Sequence, residues 1–299
     1  MNILAADIGG TNTKMGVCNE QGHIEQYSEY TTESLKGGPH VMERLIAHLA
    51  AYEHDRYDAI AISTAGQVNA EQGYIVYANE NIPNYTGTKI SELLTSRFHK
   101  PVRVENDVNA AALGEAHFGA ARSFGDFLCL TFGTGIGGAI VMNRRIYRGA
   151  DGVAAEFGHM FARPAHAALR GGGGKPYYET FASTTALIRM AAQVDPTCTD
   201  GRLLFAKISE GDEKLNDVLQ RWVAEVCAGL ASLVHIFNPS AIVIGGGVME
   251  QDDLVRLVER QTKQLVMDSF RGVHILKASL GNKAGLLGAA SLFIFPQKE

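Results

Sequence analysis

Apolar and polar positions change their period several times along this chain of 299 residues. Ile3 to Ala6 form a short apolar run, Asp7-Ile8-Gly9-Gly10-Thr11-Asn12 interrupts it, and Thr13 to Val17 resumes it. The pattern predicts two strands joined as a hairpin with a polar tip. Val41 to Tyr52 carries helical spacing, Ala59 to Ser63 reads as a buried strand ending at Thr64-Ala65-Gly66, and Gly73 to Tyr77 as another strand before the polar loop Asn79 to Thr88. Val102 and Val104 alternate as a strand does, and the Ala-rich run after Asn109 reads as a helix. Glu105, Asn106 and Asp107 are therefore expected at a strand-to-helix corner.

Leu128 to Thr131 is a second apolar run, followed by the turn Phe132-Gly133-Thr134-Gly135-Ile136-Gly137-Gly138 and a returning strand from Ala139 to Met142. A helix is expected over Thr180 to Ala191. A long amphipathic one follows over Leu215 to Phe237, with Val218, Trp222, Val226, Leu230, Leu233 and Ile236 on its apolar stripe and Asn238-Pro239 as its stop. Ala241 to Ile244 reads as a buried strand, Gly245-Gly246-Gly247-Val248 as a turn into a helix near Gln251, Val273 to Leu280 as a last strand, and Gly281 to Ala290 as the opening of a C-terminal helix. Strands alternating with helices make this an α/β chain.

The segment 128–142 repeats 3–17 as strand, glycine-threonine turn and strand. Two copies of one hairpin suggest two related lobes, each offering backbone N–H groups to phosphate oxygens, with a nucleotide in the cleft between them. Asp7, at a strand end beside the first turn, suits a hydrated Mg²⁺; for either turn alone, a plain hairpin remains the alternative. Gly133-x-Gly135-x-x-Gly138 also spells a dinucleotide fingerprint, but that motif must open a helix, and Ala139-Ile140-Val141-Met142 reads as a strand. Gly171 to Lys175 fails as a P-loop because Pro176 follows the lysine.

A formal net charge of -5, without a basic cluster, argues against a nucleic-acid partner. Cys18, Cys129, Cys198 and Cys227 are widely spaced and form no CxxC pair, which fits a reducing cytoplasm. No apolar run approaches a membrane span, and Asp7 comes too early for a signal peptide.

A carboxylate at the Glu105-Asn106-Asp107 corner lies where open α/β sheets place their chemistry, and it can take a proton from a substrate hydroxyl. The structural alternative is that Asp107 caps the helix. Amide and hydroxyl groups of the loop Asn79 to Thr88 suit sugar hydroxyls. Glu156-Phe157-Gly158-His159 and Glu179 flank a Gly-rich loop, Arg170 to Gly174, and could line a sugar pocket, although His159 alone reads first as a hydrogen-bonded structural histidine.

Six signatures occur in one order: Asp7-Ile8-Gly9-Gly10-Thr11, Glu105-Asn106-Asp107, Gly133 to Gly138, Glu156-Phe157-Gly158-His159, Gly245-Gly246-Gly247 and Ala284-Gly285-Leu286-Leu287-Gly288-Ala289. Together they resemble the ROK (repressor, open reading frame, kinase) sugar kinases of the actin-like ATPase superfamily, across essentially the whole chain. The resemblance implies an α/β, two-lobed, ribonuclease H-like fold with the active site in the interlobe cleft. The expected lobes are 1–116 with 284–299, and 117–283.

It also implies an ATP-dependent, Mg²⁺-assisted transfer to the 6-hydroxyl of a hexose. Asp107 would be the base, and Asn81, Asn106, Glu156, His159 and Glu179 would join it in holding the sugar. Asp7, Gly9, Gly10, Thr11, Asn12, Lys14, Gly133, Thr134, Gly135 and Gly137 would surround the ATP phosphates, with Gly246 and Gly247 near adenosine. A homodimer is the family's common assembly. The family's repressors place a helix-turn-helix ahead of the first hairpin, whereas six residues precede Asp7 here, so a kinase is expected.

Most ROK kinases bind a structural zinc through cysteines that follow the Gly-His pair. Arg170, Gly172 and Tyr177 occupy those positions here, so no zinc is expected, with Tyr177 and Tyr178 packing the loop instead. Ile82 to Thr88 and Phe181 to Ala186 look most like zinc-less N-acetylmannosamine kinases, with glucose and β-glucosides as the alternative substrates.

Overall fold

The computed structural model describes residues 1–164 and 175–296. The chain divides into two compact units, one formed by Met1–Ser123, Ile140–Ala154 and Ser279–Glu299, the other by Phe124–Ala139 and Ala155–Ala278.

The first unit is built on β1 (Ile3–Ile8), β2 (Asn12–Cys18), β3 (Ile24–Thr31), β4 (Ala59–Thr64), the short hairpin of β5 (Gln67–Asn69) and β6 (Tyr74–Tyr77), and β7 (Val102–Asn106). Its main sheet has the order β3-β2-β1-β4-β7. β1 and β2 are antiparallel, closing at Ile8 opposite Thr13, while β4 runs parallel to β1 and β7 parallel to β4. That register sets Asp7 opposite Ser63 and Ser63 opposite Glu105. The polar ends of three parallel strands thus lie level.

Alternation along β1 explains the two layers around this sheet. Leu4, Ala6 and Ile8 face α1 (Gly38–Leu49) and α2 (Ile90–Phe98) through Val41, Leu45, Ile90 and Leu94. Ile3 and Ala5 face the last helix, α9, through Leu286, Leu287, Ala289 and Ala290. α9 (Ala284–Ile294) crosses α3 (Asp107–Phe118) so closely that a Cβ on Gly288 would collide with the Ala110 carbonyl, and one on Gly114 would sit 2.5 Å from that of Ala284. Small residues at the crossing let the backbones touch.

A second sheet has the order β10-β9-β8-β11-β12, from β8 (Phe127–Phe132), β9 (Ile136–Met142), β10 (Arg145–Ile146), β11 (Ala241–Gly245) and β12 (His274–Lys277). β11 is parallel to both β8 and β12. The helix expected over 180–191 is two helices, α4 (Tyr178–Ala182) and α5 (Thr184–Val194), broken at Ser183. Ser183 caps α5 by accepting from Ala186 N–H, and its carbonyl accepts from Trp222 Nε1, so the break is held from both sides.

α6 (Gly201–Ser209) precedes the long α7 (Glu213–Phe237), and α8 (Asp252–Leu265) follows β11. Val218, Trp222, Val226, Leu230 and Leu233 are buried as their spacing predicts, but Ile236, in the last turn, is 69% exposed. The stripe ends one turn before the helix does. Among the described residues no helix is long and apolar enough to cross a membrane.

Candidate active site

In the first unit the β1–β2 turn closes with Gly9 N–H donating to the Asn12 carbonyl, and Thr32 N–H donates to that of Thr11. A Cβ on Gly9 would lie 2.9 Å from the Asn12 carbonyl oxygen, so the turn itself requires glycine there. Gly10 has open space where its Cβ would be, and Thr11 is exposed. The tip is therefore free to receive a ligand oxygen. Asn12 is less free, because its Nδ2 donates to Glu29 Oε1 at 2.7 Å.

Asp7 stands behind that tip. Ser63 Oγ donates to its Oδ1 at 2.6 Å, and Lys14 Nζ lies 3.9 Å from its Oδ2. Gly285 packs so tightly on the carboxyl that a Cβ would fall 2.6 Å from Oδ1. Burial pushes Asp7 above the ordinary aspartate range, against the pull of Ser63 and Lys14. A carboxylate this short of compensation suits a cation.

At the β7–α3 corner the cap is Asn106, not Asp107. Asn106 Oδ1 accepts from Val108 and Asn109 N–H, while its Nδ2 donates to the Gly66 carbonyl and to Asp107 Oδ1. Its side chain is thus fully engaged in shaping the corner. Asp107 opens the helix, and both hydrogen bonds it accepts from neighbouring residues, from Asn106 Nδ2 and Val108 N–H, end on Oδ1. Among the described residues, no donor from another residue reaches Oδ2. Burial, and then the Asp7 carboxylate, push Asp107 up to about 7, near the value useful for a general base at neutral pH.

Asn81 is exposed in the loop that Tyr85 anchors through a hydrogen bond with Thr64 Oγ1 at 2.9 Å, and its own N–H donates to Asn79 Oδ1 at 3.0 Å. Thr64 is the end of β4, directly before the Ala65-Gly66 turn that Asn106 grips.

In the second unit the β8–β9 turn closes with Gly133 N–H donating to the Gly135 carbonyl. Thr184 ties it down, its N–H donating to the Gly133 carbonyl and its Oγ1 to that of Phe132. Gly133 has open space at its Cβ position, whereas on Gly135 a Cβ would lie 2.5 Å from Glu179 Oε2. The same Oε2 accepts from Ile136 N–H at 3.3 Å and would lie 3.0 Å from a Cβ on Gly158. Glu179 thereby joins the glycine turn to the Glu156–His159 segment. Glu156 and His159 side chains are 50% and 58% exposed and 3.8 Å apart, which leaves them accessible to a ligand.

Gly246, at φ 109°, packs directly on the Phe132 carbonyl, where any Cβ would collide. That glycine answers to strand packing, while Gly247 has open space around it. Behind the site Tyr178 donates its hydroxyl to the Val226 carbonyl at 2.7 Å, and Tyr177 bridges to Phe161 and meets the His159 ring at 5.2 Å. The loop Arg170 to Gly174, with two of the replaced zinc positions, lies outside the described residues. Among the described residues no group of three His, Cys, Asp or Glu side chains is placed to hold a metal.

Sequence reasoning missed Ser63, Thr184 and Arg148. The first two are hydroxyl residues at element ends, a weak local signal. Arg148, whose guanidinium pairs with the buried Glu105, carries none, since its partner is 43 residues away.

Residues 3–295 match the ROK family. A glucokinase of Streptomyces coelicolor is 35% identical over 317 residues, covering 97% of this chain and 96% of that one. An N-acetylmannosamine kinase of Pasteurella multocida is 29% identical over 291 residues, covering 97% and 95%. Among solved structures, a Listeria monocytogenes protein provisionally assigned as an N-acetylmannosamine kinase superimposes with a TM-score of 0.88 at 31% identity, covering 98% and 99%. A ROK glucokinase from Streptomyces griseus, in complex with glucose and AMPPNP, gives 0.82 at 32% identity, covering 98% and 99%. With glycine turns, acidic corner and Glu-His segment all on a chain matched from end to end, the protein belongs to the ROK family and is a carbohydrate kinase of the actin-like ATPase fold.

Proposed function

We propose that this kinase transfers the terminal phosphoryl group of ATP to the 6-hydroxyl of a hexose, with N-acetylmannosamine as its best single substrate. The observation that carries the phosphoryl-transfer reading is Asp107. Asn106 takes over the cap, so the Asp107 carboxylate is held by one oxygen and offers the other at a value near neutrality. A sugar hydroxyl is too weak an acid to ionise alone, and Asp107 orients it and receives its proton as the bond to phosphorus forms.

Glu156, His159 and Glu179 hold sugar hydroxyls in this reading, and Asn81 is a further contact. Asn106 acts mainly by fixing the base, because its own donors and acceptor are occupied. Gly9, Gly10, Thr11, Asn12 and Lys14 of the first hairpin, and Gly133, Thr134, Gly135 and Gly137 of the second, take the phosphates through N–H and hydroxyl donors in this reading. Gly247 takes adenosine with Gly246 behind it. Asp7 is the residue that would hold Mg²⁺ through its water shell, and the ion would supply charge neutralisation on the phosphates.

The segments Ile82 to Thr88 and Phe181 to Ala186 favour N-acetylmannosamine. Glucose is the second reading, favoured by the higher identity to a glucokinase. A coupled ADP-release screen of N-acetylmannosamine, glucose, N-acetylglucosamine, cellobiose and fructose with MgATP separates them. Absence of turnover with all five, in protein that still binds ATP, would refute the substrate class. Replacement of the zinc positions by Arg170, Gly172 and Tyr177 supports a zinc-free loop, and stoichiometric zinc in elemental analysis would contradict it. A cytoplasmic homodimer completes the reading; light scattering tests its mass.

A further inference from the structure

Glu105 is fully buried, and its carboxylate is held by a two-point fork: Arg148 Nη1 donates to Oε1 at 3.1 Å and Nη2 to Oε2 at 2.6 Å. The same Oε1 accepts from Asn106 N–H at 2.9 Å and Asn109 Nδ2 at 3.1 Å. A chain of hydrogen bonds therefore runs from Arg148 through Glu105 to the backbone of Asn106 and the side chain of Asn109; Asn109 N–H donates in turn to Asn106 Oδ1, and Asn106 Nδ2 closes the chain on Asp107 Oδ1.

The segment carrying Arg148 is itself bent into place. Ala154 N–H donates to the Arg148 carbonyl, and Gly149 and Gly152, at φ 69° and 82°, supply the turns. That segment leads directly along the chain to Glu156 and His159.

The charge arrangement gives the fork a purpose. Register sets Glu105 level with Ser63 and Asp7, so two carboxylates occupy the ends of β1 and β7, with Asp107 immediately after. Lys14 faces Asp7 at 3.9 Å, and Glu71 adds its field to Arg148, but Glu105 has Arg148 as its one cationic partner among the described residues. Removing that partner would leave an uncompensated buried charge at the foot of the acidic corner.

We propose that Arg148 is a positioning residue for phosphoryl transfer: its guanidinium holds Glu105, Glu105 holds Asn106 directly and through Asn109, and Asn106 aims Asp107. This rests on Asp107 being the base. A planar fork is needed because one carboxylate must be neutralised and oriented at once, which a point charge does less well.

The test uses the full chain with MgATP and its best sugar, comparing wild type with Arg148→Met, Arg148→Lys, and Arg148→Met combined with Glu105→Gln. Rates are normalised to the folded fraction from thermal denaturation. Arg148→Met is expected to lower kcat about 10²-fold, the usual effect of misplacing a catalytic group by about 1 Å. KM for MgATP should change little. The acid limb of kcat/KM should move to higher pH, because an unpaired Glu105 joins Asp7 in opposing ionisation of Asp107.

Adding Glu105→Gln should return the limb and recover at least about tenfold of the rate, as coupled neighbours do. Arg148→Lys should fall between wild type and Met. A Met variant within about twofold of wild type with an unmoved limb, or a double variant no better than the single, overturns the proposal. A wild type that turns over no sugar overturns the reading of Asp107 itself, and this inference with it.

Discussion

The two glycine hairpins share a plan and differ in where their carboxylate comes from. Asp7-Ile8-Gly9-Gly10-Thr11 and Thr131-Phe132-Gly133-Thr134-Gly135 each end a buried strand, bury an apolar side chain and then expose a glycine turn. The first, however, carries Asp7 with Lys14 beside it, close enough to Asp107 to raise its value. The second carries a hydroxyl at the matching strand position and borrows its carboxylate, Glu179, from α4. One fold element thus comes with two electrostatic surroundings: a buried carboxylate on the strand itself with a lysine beside it, and a carboxylate supplied from a separate helix onto the turn.

The largest effect that would sharpen this division is expected from Asp107→Asn. It should lower kcat by roughly 10²- to 10⁴-fold in the ADP-release assay while leaving ATP binding in place. Near-normal turnover would remove the acidic half from the chemistry. Glu179→Ala comes next. Because one oxygen serves both Ile136 N–H and the Gly135–Gly158 contact, KM for sugar and for ATP should rise together, by about 10- to 100-fold for a charge-assisted bond. A rise in the sugar KM alone would separate Glu179 from the phosphate turn.

A milder effect is expected from pH. With Asp107 at about 7, kcat/KM should fall close to tenfold per unit as pH drops below that value. The stability contribution has the opposite sense. Between the ordinary 3.8 and about 7 the folded state keeps a proton that the unfolded chain has released, so this contribution weakens as pH rises through the window. Asp107→Asn should flatten that part of the stability profile, and an unchanged slope would show that the carboxyl is not raised.

The smallest effect concerns what holds the second hairpin's surroundings from behind. Tyr178→Phe loses the bond to the Val226 carbonyl and should cost about 1 kcal/mol in denaturant unfolding, with kinetics unaltered. A large kinetic effect would make Tyr178 part of the site.

Much of the architecture was legible because its signals are local. Continuous apolar runs gave β1, β4, β8 and β11, and the two hairpins announced themselves by repetition. The break between α4 and α5 was not legible, since Ser183 stops the helix through a Trp222 bond formed 39 residues away. Ile236 misled for a related reason. Helical spacing says which residues share a face, but not how far along the helix the neighbouring layer extends.

At the site, residue types were readable and their division of labour was not. The corner Glu105-Asn106-Asp107 presents three polar groups to any reader. Only the folded chain decides that Asn106 caps, Glu105 is buried under Arg148, and the bonds Asp107 accepts from its neighbours both end on Oδ1. Likewise, Gly9, Gly135 and Gly246 are required by carbonyl and carboxylate neighbours, while Gly10, Gly133 and Gly247 leave open space.

By itself, then, the sequence determined the most apolar strands, the long amphipathic helix, the doubled glycine turn and the set of chemically capable side chains, because periodicity and turn chemistry act over a few residues, while β3, α2 and α6 went unread. Tertiary structure decided which carboxylate is paired and which remains available. Those outcomes depend on burial and on partners such as Arg148 and Ser63 that are distant in sequence and meet Glu105 and Asp7 only once the sheet is assembled.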